Sequence, residues 1–77
     1  MSFDYSKLRG RIKELYKTQD SFAEALGIGR VSLSQRLNNS IDFKNKEISK
    51  ACLLLEIPID LIPAYFFTPE VQKSELK

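Results

Sequence analysis

The chain has 77 residues, of which 43% are apolar and 29% are charged, and its formal net charge is +2. This length allows one small domain with a single core, and the apolar content argues against wholesale disorder. Histidine is absent and Cys52 is the only cysteine, which excludes zinc sites built from His and Cys as well as Ser–His and Cys–His catalysis. We therefore expect no metal, no cofactor and no enzymatic activity.

The sequence carries no feature of export or membrane insertion. Cys52 has no partner for an intrachain disulfide, as is usual for intracellular proteins. The longest apolar run, residues 51–55, is far shorter than a membrane span. The N-terminus is charged and has no apolar segment typical of a signal peptide. We expect a cytoplasmic protein without contact to a membrane.

Charge is distributed unevenly along the chain. Residues 1–50 carry a net charge of +4, and residues 51–77 carry −2. A basic first part is suited to a polyanion, and an acidic end would lie away from it. Charge alone leaves open whether the chain binds nucleic acid.

Local signals predict the first three helices. Asp4 is a candidate N-cap for a helix with an apolar stripe at helical spacing. Thr18 is placed to cap a second helix, residues 19–26, which Gly27 ends. A third helix follows at once, from Gly29 or Arg30 to Leu37. Such a short turn requires the second and third helices to cross steeply, as in a helix-turn-helix.

Two more helices and a tail complete the prediction. The fourth helix is expected at residues 45–56, and a last short helix follows Asp60, with Pro63 in its first turn. Residues 68–77 are polar and are interpreted as a tail behind a domain of residues 1–67. Cys52 is expected to be a small buried apolar residue. The remaining predicted core consists of Leu8, Ile12, Leu15, Phe22, Leu26, Leu33, Ile48 and Leu55.

The segment TQDSFAEALGIGRVSLSQRLNN, residues 18–39, resembles the helix-turn-helix of the lambda-repressor-like (Cro/CI, XRE) family. Both ends of the chain, MSFDYSKL and Tyr65-Phe66-Phe67, are similar to small Cro-type regulators of temperate phages and prophages of Gram-positive bacteria. The resemblance implies a compact, all-α, five-helix DNA-binding domain. Arg36 departs from the family pattern, which often has an apolar residue there.

The resemblance also implies which residues contact DNA. Gln19 matches a phosphate-binding position, and the third helix is the one that enters the major groove. Its candidate contacts are Arg30, Val31, Ser32, Ser34 and Gln35. Arg36 is expected to lie along the surface or to reach a phosphate, and the backbone contacts would be completed by Asn38, Asn39, Lys44 and Lys46.

Three consecutive aromatic residues, Tyr65, Phe66 and Phe67, cannot all face one small core. One interpretation is a homodimer seam, as two-fold operators require. The alternative is that the rings fold back onto the first and fourth helices.

These observations favour a Cro-like phage or prophage repressor that binds double-stranded operator DNA as a homodimer. The alternative is an antirepressor or modulator that binds a partner repressor protein, because a net charge of +2 is small for a DNA-binding protein. An enzyme using the carboxylates of Asp20 and Glu24 is the weakest of the three hypotheses.

Overall fold

Residues 2–70, the part of the chain that the computed structural model describes, fold into five α-helices and one short 3-10 turn joined by loops. The helices are α1 (Ser6–Tyr16), α2 (Gln19–Leu26), α3 (Arg30–Leu37), α4 (Asn45–Leu55) and α5 (Ile62–Phe66), and the 3-10 turn (Ile59–Leu61) leads into α5. The predicted all-α, five-helix fold is confirmed. Within residues 2–70, no helix combines the length and the apolar character needed to cross a membrane.

The helix boundaries follow from local chemistry. The Thr18 hydroxyl accepts a hydrogen bond from the Ser21 backbone N–H at 3.1 Å and caps α2. Gly27 has a φ of +87°, a conformation in which a side chain would be strained, and it ends α2 as predicted. The start of α1 differs from the prediction: the helix begins at Ser6, and the Asp4 carboxylate binds the Ser6 backbone N–H at 2.9 Å.

A single core lies where the five helices meet, and it contains most of the predicted residues. Leu15 is the exception, since it is 38% exposed. It lies in the last turn of α1, where Tyr16 makes the contact with Phe22, at 5.3 Å between ring centroids. Cys52 is buried as predicted, and burial raises the pKa of its thiol. The largest fully buried side chains are Phe22, Phe66, Leu8, Ile12, Leu33 and Leu55.

The two ends of the described chain are joined to each other. Phe3 and Pro69 form an isolated antiparallel bridge. The Asp4 N–H donates to the Thr68 carbonyl at 2.7 Å, and the Glu70 N–H donates to the Ser2 carbonyl at 3.1 Å. Residues 68–70, which the sequence assigned to the tail, therefore pack on the domain. The rest of that predicted tail, residues 71–77, lies outside the described residues.

Candidate functional site

The α2–α3 pair forms the helix-turn-helix that the sequence predicted. The turn is closed by the N–H groups of Gly27 and Ile28, which donate to the Ala23 carbonyl at 2.9 and 3.0 Å. Ala23 is almost fully buried, so the two helices approach closely at a small side chain. Buried Phe22, Leu26 and Leu33 hold the pair on the rest of the domain.

The outer side of α3 carries several of the predicted contact residues. Arg30, Val31 and Gln35 are exposed, and Val31 is 65% accessible although it is apolar. Ser32 and Ser34 are half-buried, as is Gln19 at the start of α2. Lys44 and Lys46, at the start of α4, are exposed. The exposed members of this set are therefore accessible to a binding partner, whether nucleic acid or protein.

On α2 and α3 themselves, the exposed charge is not that of a phosphate-binding site. Asp20 and Glu24 lie one turn apart on α2, and both are exposed. The Asp20 carboxylate forms an ion pair with the Arg30 guanidinium, with 3.4 Å between Oδ2 and Nη1. Beside them is an open cleft of about 360 Å³ between the two helices. The cleft is lined by Asp20, Ser21, Ala23, Glu24, Ile28 and Arg30.

Arg36 is not a surface residue, which corrects the expectation that it reaches a phosphate. Only 7% of it is exposed, and its Nε and Nη2 bind the two carboxylate oxygens of Glu47 at 2.8 and 3.0 Å. Its Nη1 donates to the Ser32 carbonyl at 2.9 Å. The hydrogen bond from Arg36 holds the pKa of Glu47 below its ordinary range, although burial acts in the opposite direction. This pair joins α3 to α4.

The Asn39 side chain is also hydrogen-bonded inside the domain, so it is not available to a DNA backbone. Its Oδ1 accepts from the Phe3 N–H at 2.9 Å, and its Nδ2 donates to the Phe3 carbonyl at 3.0 Å. It adopts a φ of +66°, which asparagine tolerates better than most residues. Asn38 is exposed, and its Oδ1 accepts from Arg9 Nη2 at 3.0 Å. The end of α3 is thus occupied by the N-terminal segment and by α1.

The three aromatic residues 65–67, which were predicted to form a homodimer seam, pack mostly within the domain. Phe66 is 1% exposed and meets Phe43 edge-on at 5.3 Å between centroids. Tyr65 is half-buried against the core. Phe67 is 47% exposed and packs against Phe3 at 5.8 Å. The middle ring of the three, Phe66, therefore belongs to the core, and only Phe67 is largely exposed.

Sequence reasoning missed the partner of Arg36 and misread the carboxylates of α2. Glu47 lies eleven residues from Arg36 in another helix, a separation for which no local pattern exists. For Asp20 and Glu24 the sequence suggested either ordinary surface carboxylates or, less favoured, catalytic groups, and not a binding surface. Their position on the outer face of the helix-turn-helix, where a DNA-binding protein needs positive charge, was the signal available in the sequence. Among residues 2–70, no cluster of acidic and cysteine side chains has the arrangement needed to hold a metal ion.

Comparison with known proteins decides the family. A family model described as "Protein of unknown function (DUF739)" matches residues 1–69. The chain belongs to the DUF739 family. Among solved structures, it is similar to the modulator of repression (MOR) of the temperate bacteriophage TP901-1 from Lactococcus lactis, determined in solution. The identity is 43%, the match covers 94% of this chain and 97% of that chain, and the TM-score is 0.78. No curated protein matches the chain.

This result corrects two interpretations of the sequence. The assignment to the Cro/CI (XRE) regulators was wrong, since the matching family is DUF739 and the similar phage protein is a modulator of repression. The interpretation as a DNA-binding Cro-like repressor was wrong for the same reason. The two helices and the short turn between them were correctly predicted, but they occur in a chain that is similar to a phage modulator of repression.

Proposed function

We propose that this DUF739 protein is a phage or prophage modulator that acts by binding a partner repressor protein. The 43% identity to a phage modulator of repression, over nearly the full length of both chains, supports this function. The function requires neither a cofactor nor catalysis. It also implies that the protein works in the cytoplasm of a bacterial host, where a repressor meets its operator.

The observation that carries the proposal is the charge of the α2–α3 face. We use this name for the exposed side of the two helices around Asp20, Glu24, Arg30 and Val31. The exposed charged side chains on α2 and α3 themselves are Asp20, Glu24 and Arg30, which sum to −1 because Arg36 is buried against Glu47. A DNA-reading helix pair needs positive charge to displace counterions from phosphates. An acidic face is instead complementary to the basic surface with which a repressor holds its operator.

The same face offers an apolar contact beside its charges. Val31 is largely exposed on α3, and Ile28 lines the cleft next to Asp20 and Glu24. The contact of Arg30 with Asp20 is long and exposed, so it contributes little and a cation of the partner can replace it. We therefore infer that a basic side chain of the repressor lies between the two carboxylates of α2 while Val31 packs against its stem.

Direct binding tests this proposal. The protein is titrated by calorimetry into the repressor encoded by the same phage or prophage genome. We expect binding that weakens with salt and that falls at least about tenfold in the variant Asp20→Lys/Glu24→Lys, because two attractive charges become repulsive. The matched control is Glu56→Lys/Asp60→Lys, which makes the same change of charge outside the α2–α3 face and should bind as the unmodified protein does.

Two results would contradict the proposal. One is the absence of binding to that repressor at micromolar concentration. The other is an equal loss of affinity in both double variants, because it would make net charge, and not the α2–α3 face, the determinant of binding.

A further inference from the structure

A second surface, separate from the α2–α3 face, lies between the N-terminal segment, the loop before α4, and α5. It is an open cleft of about 360 Å³, which we call the aromatic cleft. It is lined by Phe3, Tyr5, Asp42, Phe43, Ile48, Phe66 and Phe67. Five of these seven residues are aromatic, and one carries a charge.

The rings form a connected frame. Phe43 stands edge-on to Tyr5 at 5.5 Å and to Phe66 at 5.3 Å between centroids. Phe3 stands edge-on to Phe67 at 5.8 Å. Phe3 also contacts Tyr5, at 6.2 Å between centroids, which joins the two groups of rings. Edge-on contacts of this kind are the preferred arrangement of aromatic pairs. Phe67 nevertheless remains 47% exposed, so a large part of its surface is open to a ligand.

Asp42 places a negative charge at the edge of this frame. Its side chain is exposed, and within residues 2–70 its carboxylate makes neither a hydrogen bond nor an ion pair. Burial raises the pKa of Tyr5, and the negative charge of Asp42 raises it further. Aromatic ring faces are also negative. The cleft therefore combines an apolar wall with a negative potential, which suits a flat, weakly hydrated cation.

We propose that the aromatic cleft binds the guanidinium group of an arginine side chain presented by a protein partner, with Phe67 beneath the guanidinium plane and Asp42 accepting its N–H groups. Arginine fits better than lysine because its charge is delocalised, planar and less strongly hydrated. A neutral apolar side chain fits less well, because it would take water from the Asp42 carboxylate without replacing its hydrogen bonds. The site does not depend on the function proposed for the α2–α3 face.

The test uses N-acetyl-arginine methylamide as the probe, titrated into the ¹⁵N-labelled full chain and followed by NMR. The lysine and citrulline analogues are titrated in parallel, since citrulline keeps the shape of arginine without its charge. We expect millimolar binding of the arginine probe, with shifts at Phe3, Asp42 and Phe67, and weaker binding of both analogues. The variant Asp42→Asn should bind arginine about twofold to fivefold more weakly, because it loses only the charge. Phe67→Ala should weaken binding by a similar factor.

The matched control is Asp60→Asn, which removes an exposed carboxylate outside the cleft and should leave arginine binding unchanged. Because Asp42 is exposed, the Asp42→Asn variant should keep the fold even if Phe67→Ala does not. The proposal is overturned if citrulline binds as well as arginine or if Asp42→Asn has no effect. Shifts confined to Asp20 and Glu24 would overturn it as well, and would leave the repressor-binding proposal intact.

Discussion

The Arg36–Glu47 pair joins α3 to α4 through two short charged hydrogen bonds from which water is largely excluded. Removing one member of such a pair leaves the other charge buried without a partner, which destabilises the fold. Replacing both members with apolar side chains often changes the stability little. The pair is therefore a structural element of the domain, and its contribution differs from that of the exposed Arg30–Asp20 contact on the neighbouring helix.

Single and double substitutions measure this difference. We expect Arg36→Met to lower the free energy of unfolding by about 3 kcal/mol, because the Glu47 carboxylate loses its partner. The double variant Arg36→Met/Glu47→Met should recover most of that loss. The matched control, Arg30→Met, removes an exposed arginine and should change the stability by less than about 0.5 kcal/mol. Urea denaturation at pH 7 gives all three values.

The pH dependence of the stability loss in Arg36→Met provides an independent check of the Arg36–Glu47 pair. The folded state holds the pKa of Glu47 below its ordinary value of 4.5, so the pair stabilises the fold above that pH. The stabilisation is lost as the pH falls below 4.5 and Glu47 becomes protonated, and the difference between the protein and Arg36→Met should shrink there. A loss from Arg36→Met that is small at pH 7, or that does not change towards acid pH, would contradict the account of this pair.

At the scale of the elements, the residue that ends α4 is poorly suited to its backbone conformation and to its place at a helix C-terminus. Its C-cap, Glu56, adopts the left-handed conformation, with φ of 57° and ψ of 43°, which disfavours residues other than glycine. A negative charge at the C-terminus of a helix also opposes the helix dipole. Both effects mean that Glu56 lowers the free energy of unfolding of the domain.

Replacing this residue should stabilise the protein. We expect Glu56→Gly to raise the free energy of unfolding by about 1 kcal/mol, since relief of the backbone strain and of the charge at the helix end exceeds the greater flexibility of glycine when unfolded. Thermal unfolding followed by circular dichroism measures the change.

The same substitution within a helix serves as the control. Glu14→Gly lies inside α1 and should destabilise the protein by about 1 kcal/mol. If both substitutions destabilise the protein, the left-handed strain assigned to Glu56 is wrong.

The elements also show how far sequence reasoning extends. Thr18, Gly27 and Pro63 act through their own backbone and that of near neighbours, so the boundaries they mark were predictable. The pairing of Arg36 with Glu47 and of Asn39 with Phe3 depends on how distant segments pack, and no local pattern reports it. These long-range contacts removed two of the predicted DNA contacts.

At the scale of the whole molecule, the fold and the function depend on different residues. Buried Phe22, Ala23 and Leu33 fix the crossing of α2 and α3, and they produced the resemblance to DNA-binding regulators. In the proposed function, the choice of partner depends on exposed charge, and on α2 and α3 the carboxylates of Asp20 and Glu24 outweigh Arg30. The predicted fold was therefore correct, while the predicted DNA-binding function was wrong. The same helix pair is suited to a basic protein surface.

The most direct test of this account measures the effect of the protein on a repressor that is bound to its operator. A fluorescently labelled operator duplex is saturated with the repressor from the same phage or prophage, and fluorescence anisotropy is followed as this DUF739 protein is added. We expect it to lower the affinity of the repressor for the operator, the Asp20→Lys/Glu24→Lys variant to have little effect, and the protein alone to leave the duplex unbound at micromolar concentration. Specific and strongly salt-dependent binding of the protein alone to the operator, or an unchanged affinity of the repressor, would contradict the account.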